Sequence, residues 1–280
     1  LKDDKHITAW TESIIEKLGK SGIVFAIATA RPIRAVKDFL PWIKYDAAVF
    51  HNGAVVMDGA DIYTDFGIYQ PVDIITKMLR DIPSLKIAVE ANDSMYSNFD
   101  AEELWPGVTS FFTKDFIETD KLYADKIIVE AHTLEEVELL KQYINDELYI
   151  QLSENQIAMI MNKKATKTNG IKRLAEARNI SMEQIVAFGD DYNDIDMLQS
   201  VGIGVAVGNA LEDVKKIADQ ICLSNNEDGV ANWIEEKMIM SKINREDMLE
   251  LTRRMTLKRH CFGRVAGGYF DENGFLEGSF

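Results

Sequence analysis

Cysteine is nearly absent from this chain: Cys222 and Cys261 are the two in 280 residues. Neither has the spacing of a metal or redox motif, and so few thiols fit a reducing cytoplasm better than a disulfide framework. Positive charge is also short, with 31 Lys and Arg against 46 Asp and Glu and a formal net charge of −15. That balance argues against nucleic acid or an anionic membrane surface as the main partner. It leaves a small phosphorylated substrate open, because local charge governs a site. No apolar run reaches membrane-spanning length and no signal peptide opens the chain, so the expectation is a cytoplasmic protein with no membrane partner. Internal repeats and low-complexity segments are missing too, and nothing in the composition speaks to oligomeric state. An initiator methionine is lacking at Leu1, and Phe280 falls inside a strand-like run from Gly274, so both ends read as cut.

Strands and helices alternate through much of the remainder. Thr8 is a helix N-cap before an apolar face of Ile14, Ile15 and Leu18, with Gly19 and Gly22 as the stop. Ile23 to Ala28 reads as a short strand, Pro32 as a first helical residue before Ile33 to Leu40, and Ala47 to Phe50 as the next strand. Strand, helix, strand at this spacing predicts a βαβ unit and a parallel sheet. Between residues 54 and 161 the texture changes to strands at Ala54–Met57, Lys86–Glu90, Lys126–Glu130 and Ile157–Met161, with helices at Val72–Asp81 and Leu134–Asn145. An inserted α+β module is expected there, crossed near Asn52-Gly53 and Lys163-Lys164. The βα rhythm resumes over residues 162–237. From Met240 it breaks, with a helix expected over Arg245–Met255 and a hairpin turn at Asp271-Glu272-Asn273-Gly274, so residues 240–280 read as a different unit.

The densest chemistry lies at Gly189–Leu198, GDDYNDIDML, directly after the apolar run Gln184–Phe188. An acidic turn at the carboxyl end of a buried parallel strand lies where open α/β sheets place ligands. Carboxylates so crowded repel one another unless a cation sits among them, and Mg²⁺ is the usual one where phosphate is handled. A solvated turn capping the next helix, with Asp194 near its start, is the plainer alternative. Two other features join it. Thr29 and Arg31 close the IVFAIA strand, and Lys167 precedes a helix. A strand-end hydroxyl and backbone amides can hold phosphate oxygens, and an ammonium can neutralise charge on a transferring phosphoryl group. Singly, Thr29 reads as an ordinary N-cap, Lys167 as one lysine of a solvated face, and Asn52-Gly53 as a turn. Together and in this order they describe a phosphoryl-transfer site without its nucleophile.

The order and wording resemble the haloacid dehalogenase superfamily, in the phosphatase branch often called Cof-type, over Leu1 to Lys237. IATARP at Ile27–Pro32 is similar to that family's second motif, TKTNGIKRLAE at Thr166–Glu176 to its third, and GDDYNDIDML to its fourth. FHNGA at Phe50–Ala54 matches the Asn-Gly that precedes the cap. GIGVAVGNALEDVKKIAD and NNEDGVANWIEE match the downstream segments, with Asp228-Gly229 before the last helix. The resemblance implies a Rossmann-like α/β core from residues 1–53 and 162–237, with an inserted α+β cap at 54–161. It implies Mg²⁺ as cofactor, held by Asp190. Thr29 and Lys167 are its catalytic candidates. Thr29, Ala30, Arg31, Asn52, Lys167 and Asn193 are the phosphate-binding set, and Asp191 and Asp194 are supporting. The implied activity is hydrolysis of a small phosphorylated metabolite, such as a sugar phosphate, through an aspartyl-phosphate.

One motif is missing. The family's Asp-x-Asp-Gly-Thr, which carries the nucleophile and the general acid and base, has no counterpart before Leu1-Lys2-Asp3-Asp4-Lys5-His6, and Asp3 and Asp4 fall beyond its place. Its strand is central in the family's sheet, between those ending at Thr29 and Asp190. A sequence cut just after the motif is the favoured explanation, and this chain is then expected to be inactive. Two alternatives stand beside it. One is a circular permutation with Asp271 as nucleophile, against which a plain hairpin at Asn273-Gly274 is the better reading. The other is a joined second reading frame from Met240, whose opening resembles that of an uncharacterised bacterial family. A non-catalytic binding module is the competing function class.

Overall fold

The computed structural model describes residues 1–4, 6–39, 43–153 and 155–240, and beyond them three short strands, Arg264–Val265, Gly268–Phe270 and Leu276–Glu277. The helix expected over Arg245–Met255 and the turn at Asp271–Gly274, with Asp271 as the permuted nucleophile, lie outside the described residues. The strands flanking that turn do pair antiparallel, Phe270 opposite Leu276. No helix of the described residues is long and apolar enough to cross a membrane.

The chain divides into two compact units. One comprises Leu1–Phe25, Trp42–Tyr45 and Lys172–Phe280, the other Ala26–Pro41 and Asp46–Ile171. Strands Ala26–Ala28 and Ala47–Phe50 fall in the same unit as the α+β module. The cause is continuity of pairing, since Ala47–Phe50 runs antiparallel to Val55–Asp58 across Asn52-Gly53.

In the first unit, Val186–Gly189, Ile203–Ala206 and Gln220–Ile221 form a three-stranded parallel sheet in that order. Helices Ile195–Ser200 and Glu212–Ile217 make the crossovers, as the apolar periodicity predicts. The opening helix, Ala9–Lys20, starts at Thr8, whose side chain accepts from the Thr11 amide. It buries Ile14 and Leu18 against Ile203 and Val205 and against Ala231, Trp233 and Ile234 of helix Gly229–Ile234. Both Thr8 and Thr11 hydroxyls donate to Asp228 Oδ1, at 2.7 and 2.8 Å.

The second unit holds two main sheets. One runs in the order Ala26–Ala28, Ala47–Phe50, Val55–Asp58, Asp61–Tyr63, parallel at the first pair and antiparallel thereafter. The other has six strands, in the order Leu148–Ser153, Ile157–Asn162, Lys126–Glu130, Ile87–Ala91, Ser94–Ser97, Phe111–Phe112. Helices Pro71–Asp81 and Leu134–Leu140 cover one face of it, placing Ile75, Met78, Val137 and Leu140 on Ile87, Val89, Ile127 and Ile160. Ala88 and Ile128 point to the other face, among Met95 and Phe99. The two-residue side-chain period therefore splits the central strands between two apolar clusters.

Strands Ala26–Ala28 and Val186–Gly189 each stand at one edge of their sheet. Their inner neighbours, Ala47–Phe50 and Ile203–Ala206, are buried throughout, whereas Ala26 is exposed and Val186 and Phe188 are half-buried. The resemblance expects both strands to be interior; here each is an edge strand among the described residues.

Candidate functional site

The second unit gathers Thr29, Asn52 and the start of the Lys167 helix. Thr29 follows strand Ala26–Ala28, and its amide donates to Val49 O at 2.8 Å. Its hydroxyl accepts from the Arg31 amide at 3.2 Å, which leaves the O–H to donate. The neighbouring strand ends in a turn at His51–Gly53. There the Asn52 amide donates to Thr29 O at 3.0 Å and the His51 amide to Arg31 O at 3.2 Å. His51 and Asn52 take φ of 49° and 57°, a left-handed region that Asn and His enter more readily than most residues. Gly53 has φ +120°, and a Cβ there would lie 2.3 Å from the Thr166 carbonyl oxygen. Only glycine lets this turn touch the backbone one residue before Lys167. Thr166 then begins helix Lys167–Ala177, its hydroxyl accepting from the Asn169 amide at 3.1 Å. Lys167 is 8 % exposed, buried rather than on a solvated face. Ala30 and Arg31 are exposed in the same loop.

The acidic turn belongs to the first unit. Asp191 caps the short turn Tyr192–Asp194, and Asp194 closes a reciprocal capping box. Asp194 is buried, its Oδ2 accepting from the amides of Asp190 and Asp191 at 3.0 and 3.3 Å. Gly189 makes room for it, since a Cβ there would meet Asp194 Cβ at 2.5 Å. Asp190 is exposed, with its carbonyl accepting from the Leu211 amide and its Oδ2 3.4 Å from Asn209 Nδ2. Asn193 is exposed beside it. Among the described residues no group of three or more His, Cys, Asp or Glu is arranged to hold a metal. Mg²⁺ commonly takes one or two carboxylates and completes its shell with water and phosphate oxygens. Asp190 has the chemistry of one such ligand. Asp194, committed through Oδ2 to two amides, does not.

Sequence reasoning missed two things. Asn209, inside the GIGVAVGNA run, touches Asp190 and in turn accepts from the Asn225 amide at 3.0 Å. In the second unit a buried polar cluster adjoins the Thr29 loop. Arg34 Nη2 donates to Glu90 Oε1 at 2.6 Å, and the Arg34 amide to Asp93 Oδ1 at 2.9 Å. His51 Nε2 lies 3.4 Å from Asp125 Oδ2, both side chains being buried. Burial, and next the Glu90 carboxylate, push the Asp125 carboxyl up to about 8, while burial holds the His51 imidazole well below its ordinary value. His51 carried a signal, its place beside Asn52-Gly53; Asp125, at the start of a strand, carried none.

A family model described as haloacid dehalogenase-like hydrolase matches residues 1–234. A Haemophilus influenzae protein provisionally named a phosphatase is 30% identical over 250 residues, 85% of this chain and 94% of that one. The 5-amino-6-(5-phospho-D-ribitylamino)uracil phosphatase YitU of Bacillus subtilis is 29% identical over 254 residues, 84% of this chain and 93% of its own. Among solved structures, TM0651 of Thermotoga maritima superposes with a TM-score of 0.74 at 25% identity, covering 84% of this chain and 92% of that one.

Proposed function

This chain belongs to the haloacid dehalogenase-like hydrolase family, and we propose that its site is that of a Mg²⁺-dependent phosphatase of small phosphorylated metabolites, sugar phosphates included. The observation that carries the reading is the convergence of the Thr29 loop, the Asn52 turn and the backbone before buried Lys167 in one unit. The phosphorylated polyol chain in the name of YitU's substrate supports the substrate class.

The Thr29 hydroxyl and the loop at Ala30 and Arg31 bind phosphate oxygens, with Asn52 as a further polar partner. Lys167 neutralises charge that builds on the phosphoryl group, and its burial strengthens that effect over a surface lysine's. Asp190 holds Mg²⁺, with Asp191 and Asp194 fixing the turn that presents it. The bound ion would polarise phosphoryl oxygens. The family's nucleophile and acid/base have no counterpart in the residues present, so these 280 residues bind phosphate without hydrolysing it. That also keeps a non-catalytic binding module as the second reading. The scarcity of cysteine supports a cytoplasmic setting.

An assay with p-nitrophenyl phosphate separates the two readings. The chain is expected to show no EDTA-sensitive turnover, and turnover would overturn the assignment of a missing nucleophile. Adding an N-terminal apolar strand that ends in Asp-x-Asp-Gly-Thr is expected to produce it. In that extended protein Lys167→Ala and Asp190→Ala should each lower kcat by about 10²- to 10³-fold, the scale of losing one electrostatic stabiliser. An extended, folded and inactive protein would leave the binding module standing.

A further inference from the structure

The buried cluster beside the Thr29 loop is a poor device for stability. Arg34 Nη1, His51 Nδ1, Glu90 Oε2 and both Asp125 carboxylate oxygens are buried without a hydrogen-bond partner. Unsatisfied buried polar groups are costly, and apolar residues of the same volume would serve stability at least as well. What the cluster does supply is connection. Asn92 and Asp93 form the tight turn between strands Ile87–Ala91 and Ser94–Ser97, both with positive φ, and Asp93 accepts from the Arg34 amide. Glu90 takes the Arg34 guanidinium on its side chain and the Asp125 amide on its carbonyl, at 2.7 Å. Asp125 meets His51, whose own amide holds the Arg31 carbonyl, one residue before Asn52 holds that of Thr29.

We propose that Asp125 is a positioning residue: through its buried contact with His51 it fixes the turn at His51–Asn52, and thereby the Thr29 loop, for phosphate. The proposal rests on the phosphate-binding role given above to Thr29 and Asn52. The groups facing Asp125 are His51, Glu90, Asp93, Arg34 and Lys126. Near neutral pH the raised Asp125 carboxyl keeps its proton and the depressed His51 imidazole stays uncharged. The carboxyl then meets Nε2 as a close, uncharged contact at 3.4 Å. Once pH rises through about 8, the carboxyl ionises beside Glu90, and the contact turns repulsive on the Glu90 side.

The test uses the full chain with inorganic phosphate, titrated calorimetrically between pH 6 and 10, and hydrogen exchange of residues 47–53. Asp125→Ala is expected to weaken phosphate about tenfold and to speed exchange of the turn amides about tenfold. Asp125→Asn, which keeps the shape and stays neutral at every pH, should match wild type at pH 7 within twofold. The ratio of wild-type to Asp125→Asn dissociation constants should rise as pH passes 8, a comparison in which the titration of phosphate itself cancels. Parallel profiles for those two proteins, or unchanged exchange in folded Asp125→Ala, would overturn the proposal. A merely structural role would lower thermal stability without this pH-dependent ratio or rescue by Asn. If wild type binds no phosphate, the phosphate role of Thr29 and Asn52 fails, and the exchange arm still decides whether Asp125 holds the turn.

Discussion

The Thr29–Lys167 region and the Asp190–Asp194 turn carry complementary chemistry but are built in opposite ways. The first is assembled from segments more than a hundred residues apart: a strand end, a left-handed turn touching Thr166, and a buried lysine. The second is fixed within six residues by a capping box, with Gly189 leaving space for Asp194. A turn held mainly by its own side chains depends on fewer distant segments. An assembled one depends on every segment that meets there, so single substitutions should reach further in the Thr29–Lys167 region.

The sharpest way to break that comparison is to add one methyl group to each region. Gly53→Ala combines a positive φ with a Cβ driven into backbone, so about 3 kcal/mol of stability should be lost, the sum expected of strain and overpacking. Gly189→Ala drives its Cβ to 2.5 Å from Asp194 Cβ, an atom held by the backbone, but carries no positive φ, and should lose about 2 kcal/mol. Urea denaturation of both variants reads the difference. Equal losses would mean that the two regions are equally rigid.

The same contrast decided what was legible in the sequence. GDDYNDIDML could be placed at a strand end because strand, cap and helix all lie in one window, and the structure puts Val186–Gly189, Asp191 and Ile195–Ser200 there. Strand Ala47–Phe50 was equally plain, since four apolar residues stop at a turn signal. Leu148–Ser153 was not: its alternation is weak, and it is a strand through six cross-strand partners on Ile157–Asn162. The contact of Gly53 with Thr166 could be reached only through motif order. The Arg34–Glu90 and His51–Asp125 pairs left no local pattern, because each joins residues 56 or more apart whose neighbours are ordinary.

Charge removal sharpens the comparison within the acidic turn. Asp194→Ala strips the acceptor from two amides in a buried position and should cost about 2 kcal/mol. Asp190→Ala removes an exposed carboxylate 3.4 Å from one amide group and should stay within about 0.5 kcal/mol. Thermal denaturation checks this. A large loss for Asp190→Ala would show that this side chain is structural and weaken its assignment to Mg²⁺.

The smallest effects come from the two caps. Thr166→Ala removes the acceptor for the Asn169 amide at a half-buried helix start, and should cost about 1 kcal/mol. Asp191→Ala removes a cap on an exposed turn, where water can replace it, and should cost about 0.5 kcal/mol. Stability alone barely separates these values; phosphate binding does. Thr166 precedes Lys167 and touches the Gly53 turn, so loosening its helix start moves two phosphate-binding segments at once. Inorganic phosphate should therefore bind Thr166→Ala several-fold more weakly than wild type, Thr166→Ser should restore it, and Asp191→Ala should leave it unchanged. Weakening by Asp191→Ala equal to that by Thr166→Ala would mean that the turn, and not only the assembled region, shapes the phosphate site.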